Sequence, residues 1–336
     1  MECAHAGLFV LFPAMVAVGL PEVIAAGSYP STSVLSAWHS MTSLLCLKLL
    51  RAGRVSHATS LAADEALGLA VGLNVLPKAT HATTYSYRVR REMNTAALSE
   101  LVRRLRPIGL ATGDGGFNLD FHAIRHYGGD AALEDNYVAK RSQATRSVLA
   151  FFAQDHASTE MVYANADVTK RAAAREIPAF ADHWKKTSGC DPGLLVFDSR
   201  LITYAILDEL SARGIGWLTL RQRGKATLAR LAALPASAWQ SVRIDRAGRY
   251  RHPQLHEDTV TIKGISAPVH QIAVRNIGRT QPTLLITNDA TTKAKDLFSV
   301  TPSACSSKTS CPPTSAVLLP QGIPGRCLVL GPGAQR

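Results

Sequence analysis

The chain has 336 residues, with 37 Lys and Arg against 25 Asp and Glu, a formal charge of +12. Hydrophobic residues make up 46% and charged ones only 18%, which excludes disorder as the overall state and supplies core for two domains. The apolar stretches are short and interrupted, which excludes a multi-pass membrane protein, and a positive excess of this size points first to nucleic acid and second to anionic membrane surface.

Gly7 to Ala26 is the longest apolar run. No Lys or Arg precedes it, Pro13 and Pro21 interrupt it and Glu22 lies inside it, so it reads as a buried helix pair broken at the prolines rather than as a signal peptide. Residues 1–110 read as helical throughout. Ser43 to Leu50 and Ala62 to Leu73 are apolar segments, and Leu98, Leu101 and Leu105 recur at helical spacing with Arg103, Arg104 and Arg106 facing outward. The run Tyr85 to Arg91 reads as a Tyr/Arg-rich helix: Arg88, Arg90 and Arg91 would pair with phosphate and Tyr85 would donate to it. A solvated amphipathic helix is the equal alternative.

From Gly113 the texture changes. Gly113 to Gly116 is a turn, and the alternating run Phe117 to Phe121 predicts a strand. A basic stretch with Lys140, Arg141 and Arg146 leads into a second strand at Ser147 to Phe152, and Met161 to Ala164 predicts a third. Thr169 to Trp184 predicts a helix. Gly193 to Phe197 is a buried-type strand ending at Asp198, Arg200 to Arg213 a helix stopped by Gly214, and Ile215 to Leu220 the return strand, which together make a βαβ unit. Arg221 and Arg223 follow that return strand, at the same sheet end as Asp198 if the connection folds back. Residues 237–288 turn to β patterning.

Two acids stand out by context. Asp120 lies inside the strand Phe117 to Phe121, and Asp198 ends a strand of large apolar residues. Each must be paired, metal-bound or at an open sheet end, because an unpaired buried carboxylate is too costly. Adjacent strands would bring the two together, and Mg²⁺, which prefers oxygen ligands, is the natural counter-ion; strand-end caps are the alternative. The six cysteines form no C-x-x-C and no zinc spacing, which suits a reducing compartment. His122 and His126 are four apart, but on a strand exit rather than a helix, so zinc ligation is not expected there. There is no P-loop and no nucleophile elbow.

Leu194 to Tyr204, Gly214 to Arg223 and Phe117 to His122 together resemble bacterial insertion-sequence transposases of the DDE type, as do Leu73 to Lys78, Tyr85 to Arg88, Tyr137 to Ser142 and Pro282 to Asn288. The resemblance implies an α/β fold: a ribonuclease-H-like mixed sheet with flanking helices, an N-terminal helical region and a β-rich insertion. The implied divisions are 1–110 for binding DNA ends, 113–224 for the first part of the core, 225–281 for the insertion and 282–298 for the returning core strand. Asp120 and Asp198 would be two catalytic acids holding two Mg²⁺ (or Mn²⁺) ions, one to activate water or a freed 3′-hydroxyl and one to stabilise the leaving oxygen. Tyr85, Arg88, Arg90, Arg91, Lys140, Arg141, Arg146, Arg221 and Arg223 would face DNA. The implied partners are the terminal inverted repeats of a transposon and target DNA, with a homodimer when intact, no membrane, and a cytoplasmic, nucleoid-associated location in a bacterium. The alternatives are a non-catalytic DNA-binding remnant and a basic membrane-surface protein.

The family pattern also requires a third acid, on a helix carrying Tyr-x-x-Arg-x-x-x-Glu after the strand that ends near Asn288. No acidic residue follows Asp296, and residues 299–336 hold six of the 17 prolines and three of the six cysteines. Reading the segment from Ser299 in an offset frame, with synonymous codons chosen freely, gives Arg-Tyr-Ala-Gln-Arg-Met-Leu-Ile-Glu-Asn, which has the missing spacing. The expectation is a frameshift near Ser299 that replaced the helix with an out-of-frame tail.

Overall fold

The computed structural model describes residues 3–52, 55–73, 76–125, 133–138, 143–198, 202–243 and 252–300. The first hundred residues form a helical layer: α1 (Phe12–Ala17), α2 (Leu20–Ala26), α3 (Ala37–Leu49), α4 (Ala58–Ala62), α5 (Glu65–Ala70), α6 (Ala79–Ser86) and α7 (Arg91–Leu105). Leu44, Leu47, Leu61, Leu67 and Tyr85 meet in its core. The apolar run that contains α1 and α2 breaks at Gly19, whose φ of 71° suits glycine, and not at a proline. Pro13 and Pro21 instead sit in the first turns of the two helices, where the missing N–H is harmless. α1 buries no side chain, so the run is only half buried.

Asp64 caps α5 by accepting from Leu67 N–H at 3.0 Å, and it also holds the N–H and ring of His5 at 2.9 Å. Burial alone would raise the pKa of this carboxyl, but these donors and the Cys3 thiol hold it below its ordinary value. Among the described residues no single helix is long and apolar enough to cross a membrane; Ala6–Ala17 and Leu20–Ala26 reach that composition only as a pair bent by 67°.

The rest is one mixed sheet of ten strands with helices on its faces. β1 (Phe117–Arg125), β2 (Glu134–Val138), β3 (Gln143–Asp155) and β4 (Met161–Val168) form an antiparallel group around β3. α8 (Glu176–Ser188) then leads to β5 (Leu194–Phe197), parallel to β1, and α9 (Tyr204–Ala212) to β6 (Gly216–Arg221), parallel to β5. α8 starts later than its sequence predicts, because Pro178 fits only the first turn of a helix. α10 (Lys225–Ala232) is a helix within the segment read as β-rich. β7 (Gln240–Ser241), β8 (Gln254–Val260) and β9 (Val269–Arg275) continue the sheet beyond β10 (Thr283–Thr287), which pairs antiparallel with β6. Among the described residues the order is β2-β3-β1-β5-β6-β10-β9-β8-β7, with the tenth strand, β4, paired to β3 off this path, and α11 (Ala294–Val300) closes the described chain.

Strand alternation divides the core in two. Phe117, Leu119, Leu195, Phe197 and Trp217 pack with α8 and α9 through Phe180, Trp184, Leu207 and Leu210. On the opposite face Val196, Leu218, Ile272 and Leu285 pack under Leu297 and Phe298 of α11.

Gly116 sets the approach of β1 to β5: its φ is 81°, and a Cβ there would lie 2.4 Å from the Leu194 carbonyl oxygen. Gly116→Ala therefore strains the backbone and pushes the two strands apart, at an expected loss of about 2–3 kcal/mol in urea unfolding. An unchanged midpoint would show that this entrance is not tight.

Candidate active site

β1 and β5 run parallel with Phe117 opposite Leu195, Asn118 opposite Val196 and Leu119 opposite Phe197. One residue further along, the two chains carry Asp120 and Asp198. Asp120 lies two residues beyond Asn118 and Asp198 two beyond Val196, so both carboxylates share one face, the face that α11 covers further along the sheet. Both side chains reach solvent: Asp198 just past the end of β5, and Asp120 within β1 where its pairing with β5 ends. The sequence reading expected the two acids together if their strands were neighbours, and β1 and β5 are neighbours in this register.

The surrounding protein, and to a lesser degree the negative Asp198, raises the pKa of the Asp120 carboxyl above its ordinary value. His122 and the Phe121 N–H, which donates to Asp120 Oδ1 at 2.9 Å, act in the opposite direction. Asp120 thus has an open edge to water but mostly protein around it. His122 stands on the same face two residues along and is exposed. Its place beside Asp120 follows from the two-residue strand spacing, whereas the four-residue spacing to His126 leads outside the described residues.

β6 ends at the same side of the sheet as β5, because the two strands are parallel. Arg221 and Arg223 therefore emerge at the sheet end of the two acids, as the folding-back connection required. Arg223 is exposed, while Arg221 is half-buried and its guanidinium donates to Gln271, which is bound in turn to Asp258. Arg146 is exposed on β3. Lys140 and Arg141 lie outside the described residues.

The segment Tyr85 to Arg91 is not one helix. α6 stops at Ser86, Arg90 is extended (φ −105°, ψ 160°), and α7 begins at Arg91. Tyr85 is 1% exposed, and burial pushes its hydroxyl up to about 12, so it packs the helical core and cannot meet a phosphate. Arg91 donates to the Tyr163 hydroxyl at 3.1 Å and lies 3.8 Å from Glu176, which joins α7 to the sheet. Arg88 is exposed and donates to the Ser31 carbonyl at 3.0 Å, and Arg90 is exposed.

A third acid does not reach the pair among the described residues. Asp289 follows β10 at the opposite end of the sheet, about 13 Å along the strand direction from the level of Asp198. Its carboxylate is bound to its own turn through Thr291 and Thr292, whose donors hold it well below the usual carboxylate range although burial alone would raise it. Asp296 lies in the first turn of α11. No group of three His, Cys, Asp or Glu side chains able to hold a metal ion occurs among the described residues.

The chain matches no protein-family model, and no curated protein matches it.

An acid whose folded-state pKa is raised costs stability when ionised; the cost is absent below the unfolded pKa near ~4 and complete above the folded pKa. Asp120→Asn is therefore expected to raise the urea midpoint at pH 7, with no gain at pH 3, where aspartic acid is neutral. A gain that is the same at both pH values would assign the effect to packing rather than charge.

Proposed function

We propose that this chain is a DNA transposase of the DDE type by architecture and ancestry, acting on DNA by metal-dependent strand cleavage and strand transfer, and that this copy lacks the third catalytic acid. The observation that carries the reading is the register of β1 with β5, which sets Asp120 beside Asp198 on one exposed face. The order of elements supports it as well: an antiparallel group around β3, then two parallel strands each reached through a helix, then added strands, a return strand and a helix. That is the order expected of a ribonuclease-H-like core with an inserted β-rich segment.

Two carboxylates at a wet sheet end fit Mg²⁺ or Mn²⁺, which take one or two carboxylates and complete their shell with water and phosphate oxygens. Asp120 and Asp198 would hold the ion; when bound it supplies charge neutralisation for phosphoryl transfer and an activated oxygen nucleophile. The like charge of Asp198, which contributes to raising the Asp120 pKa, is the repulsion such a cation relieves. Arg223, Arg146 and the flanking basic residues offer contacts to the DNA backbone.

α11 follows β10 and packs on the acid-bearing face. A helix prolonging α11 along the sheet to the position of the offset-frame Glu, thirteen residues from Ala294, would advance about 20 Å, enough to reach the level of the two acids. The in-frame residues after Asp296 include no carboxylate side chain, so a second outcome follows: DNA binding without strand transfer, as in an inactive remnant.

The coding DNA beyond the Ser299 codon is expected to contain the ten-residue offset run; without it the frameshift is wrong. Purified chain is expected to bind duplex DNA with a steep salt dependence and Mn²⁺ weakly, with Mn²⁺ binding lost in Asp198→Asn. Joining the offset-frame helix after Phe298 should tighten Mn²⁺ binding at least tenfold and yield cleavage of the element's ends that Asp120→Asn abolishes. DNA binding that ignores salt, or Mn²⁺ binding that survives both substitutions, would sink the reading.

A further inference from the structure

The helical layer holds a cavity of about 240 Å³ between α1, α3, α4, α5 and the segment before α6. Its walls are largely apolar: Phe12 and Met15 on α1, Trp38 and Cys46 on α3, and Leu61 on α4. At the rim stand Val16 and Ala70, both exposed, so the cavity opens to solvent there.

One polar atom in the wall is left over. Thr42 is 9% exposed, and its Oγ1 has no hydrogen-bond partner among the described residues. A helical threonine commonly donates to the carbonyl four residues back, and this one does not. Two other polar side chains lining the cavity are engaged: His39 through Nδ1 with Ser36 Oγ at 2.9 Å and through Nε2 with the Val71 carbonyl at 3.3 Å, and Ser43 with the Ser40 carbonyl at 2.8 Å. Burial pushes the Cys46 thiol up to about 11, so it stays neutral. A buried hydroxyl without a partner is costly, and a ligand that supplies one removes that cost.

Charge narrows the class of ligand. No Lys or Arg occurs before Lys48, and none lines the cavity among the described residues, so it offers no described cation to a phosphate or carboxylate. Size narrows it further: an apolar cavity of ~150 Å³ takes benzene, so this one has room for a substituted ring. Aromatic rings and thioether sulfur both favour an aromatic guest.

We propose that this cavity binds a small, uncharged aromatic molecule bearing one hydroxyl or N–H group, with the ring held between Phe12, Met15 and Trp38 and the polar group hydrogen-bonded to Thr42 Oγ1. The site is separate from the paired acids, and the inference does not depend on a transposase reading.

The test is calorimetric titration of the full chain with 4-propylphenol and with propylbenzene, which differ only in the hydroxyl. 4-Propylphenol is expected to bind saturably with a preference over propylbenzene. Thr42→Val keeps the side-chain shape and removes the hydroxyl; it should cut that preference about fivefold while circular dichroism shows the fold intact. Ala70→Trp, at an exposed rim position, should abolish binding of both compounds. The proposal is overturned by the absence of saturable 4-propylphenol binding up to about 1 mM. It is equally overturned if Thr42→Val leaves the preference unchanged, or if both compounds bind Ala70→Trp as they bind the parent chain.

Discussion

The parallel pairing of β1 with β5 is the constraint on which the rest of the molecule turns. Two apolar pairs, Phe117 with Leu195 and Leu119 with Phe197, flank Asn118 opposite Val196 in this register, and the next residue on each chain is an aspartate. Parallel neighbours cannot be joined by a hairpin, so the chain must leave the sheet and return. It does so through β3, β4 and α8, and the aromatic cluster of Phe117, Phe180 and Trp184 fixes that crossing. Like charges side by side are tolerated because they sit where the pairing of β1 with β5 ends and both side chains meet water. A slip of one residue in either strand would turn that strand over and move its carboxylate to the opposite, apolar face. Apolar packing on one face therefore holds an electrostatically unfavourable pair in place on the other.

Much of this was legible in the sequence. The alternation from Phe117 to Phe121, the apolar strand before Asp198 and the helix stopped by Gly214 each emerged close to their expected places. Both acids were identifiable because a carboxylate inside or at the end of an apolar strand needs a reason. Their adjacency was expected only on the condition that the two strands are neighbours, and no local pattern encodes that condition, because it depends on register between segments 78 residues apart. His122 was expected on a strand and stands on one, where the two-residue spacing sets it on the face of Asp120.

The basic residues around α6 and α7 show a different limit. Tyr and Arg close together in sequence suggest a phosphate-binding helix, but the structure uses Tyr85 as core and Arg91 as a clip. Arg91 reaches Tyr163, 72 residues away, and lies near Glu176, which is itself bound to Asn165 at 2.8 Å. Arg106 donates to the Ser188 carbonyl at 3.1 Å and lies 5.6 Å from the Trp184 ring centre. A guanidinium satisfied by phosphate and one satisfied by a distant phenol and carbonyl look identical in a local window. The helical layer is thus fastened to the α/β part by cations that composition alone assigns to an external anion.

Charge placement then separates two kinds of surface. Apart from Lys308, Arg326 and Arg336, every Lys and Arg falls between Lys48 and residue 300, while the first 47 residues carry none. A polyanion attracted by the overall charge gains nothing from α1 and α2, which carry no Lys or Arg. That part of the helical layer includes Val16, exposed at the rim of an apolar cavity. A neutral guest there displaces no counter-ions, so its binding should depend little on salt, whereas contact with a polyanion must weaken as salt rises. Ionic strength is therefore the variable that separates the two surfaces of one chain.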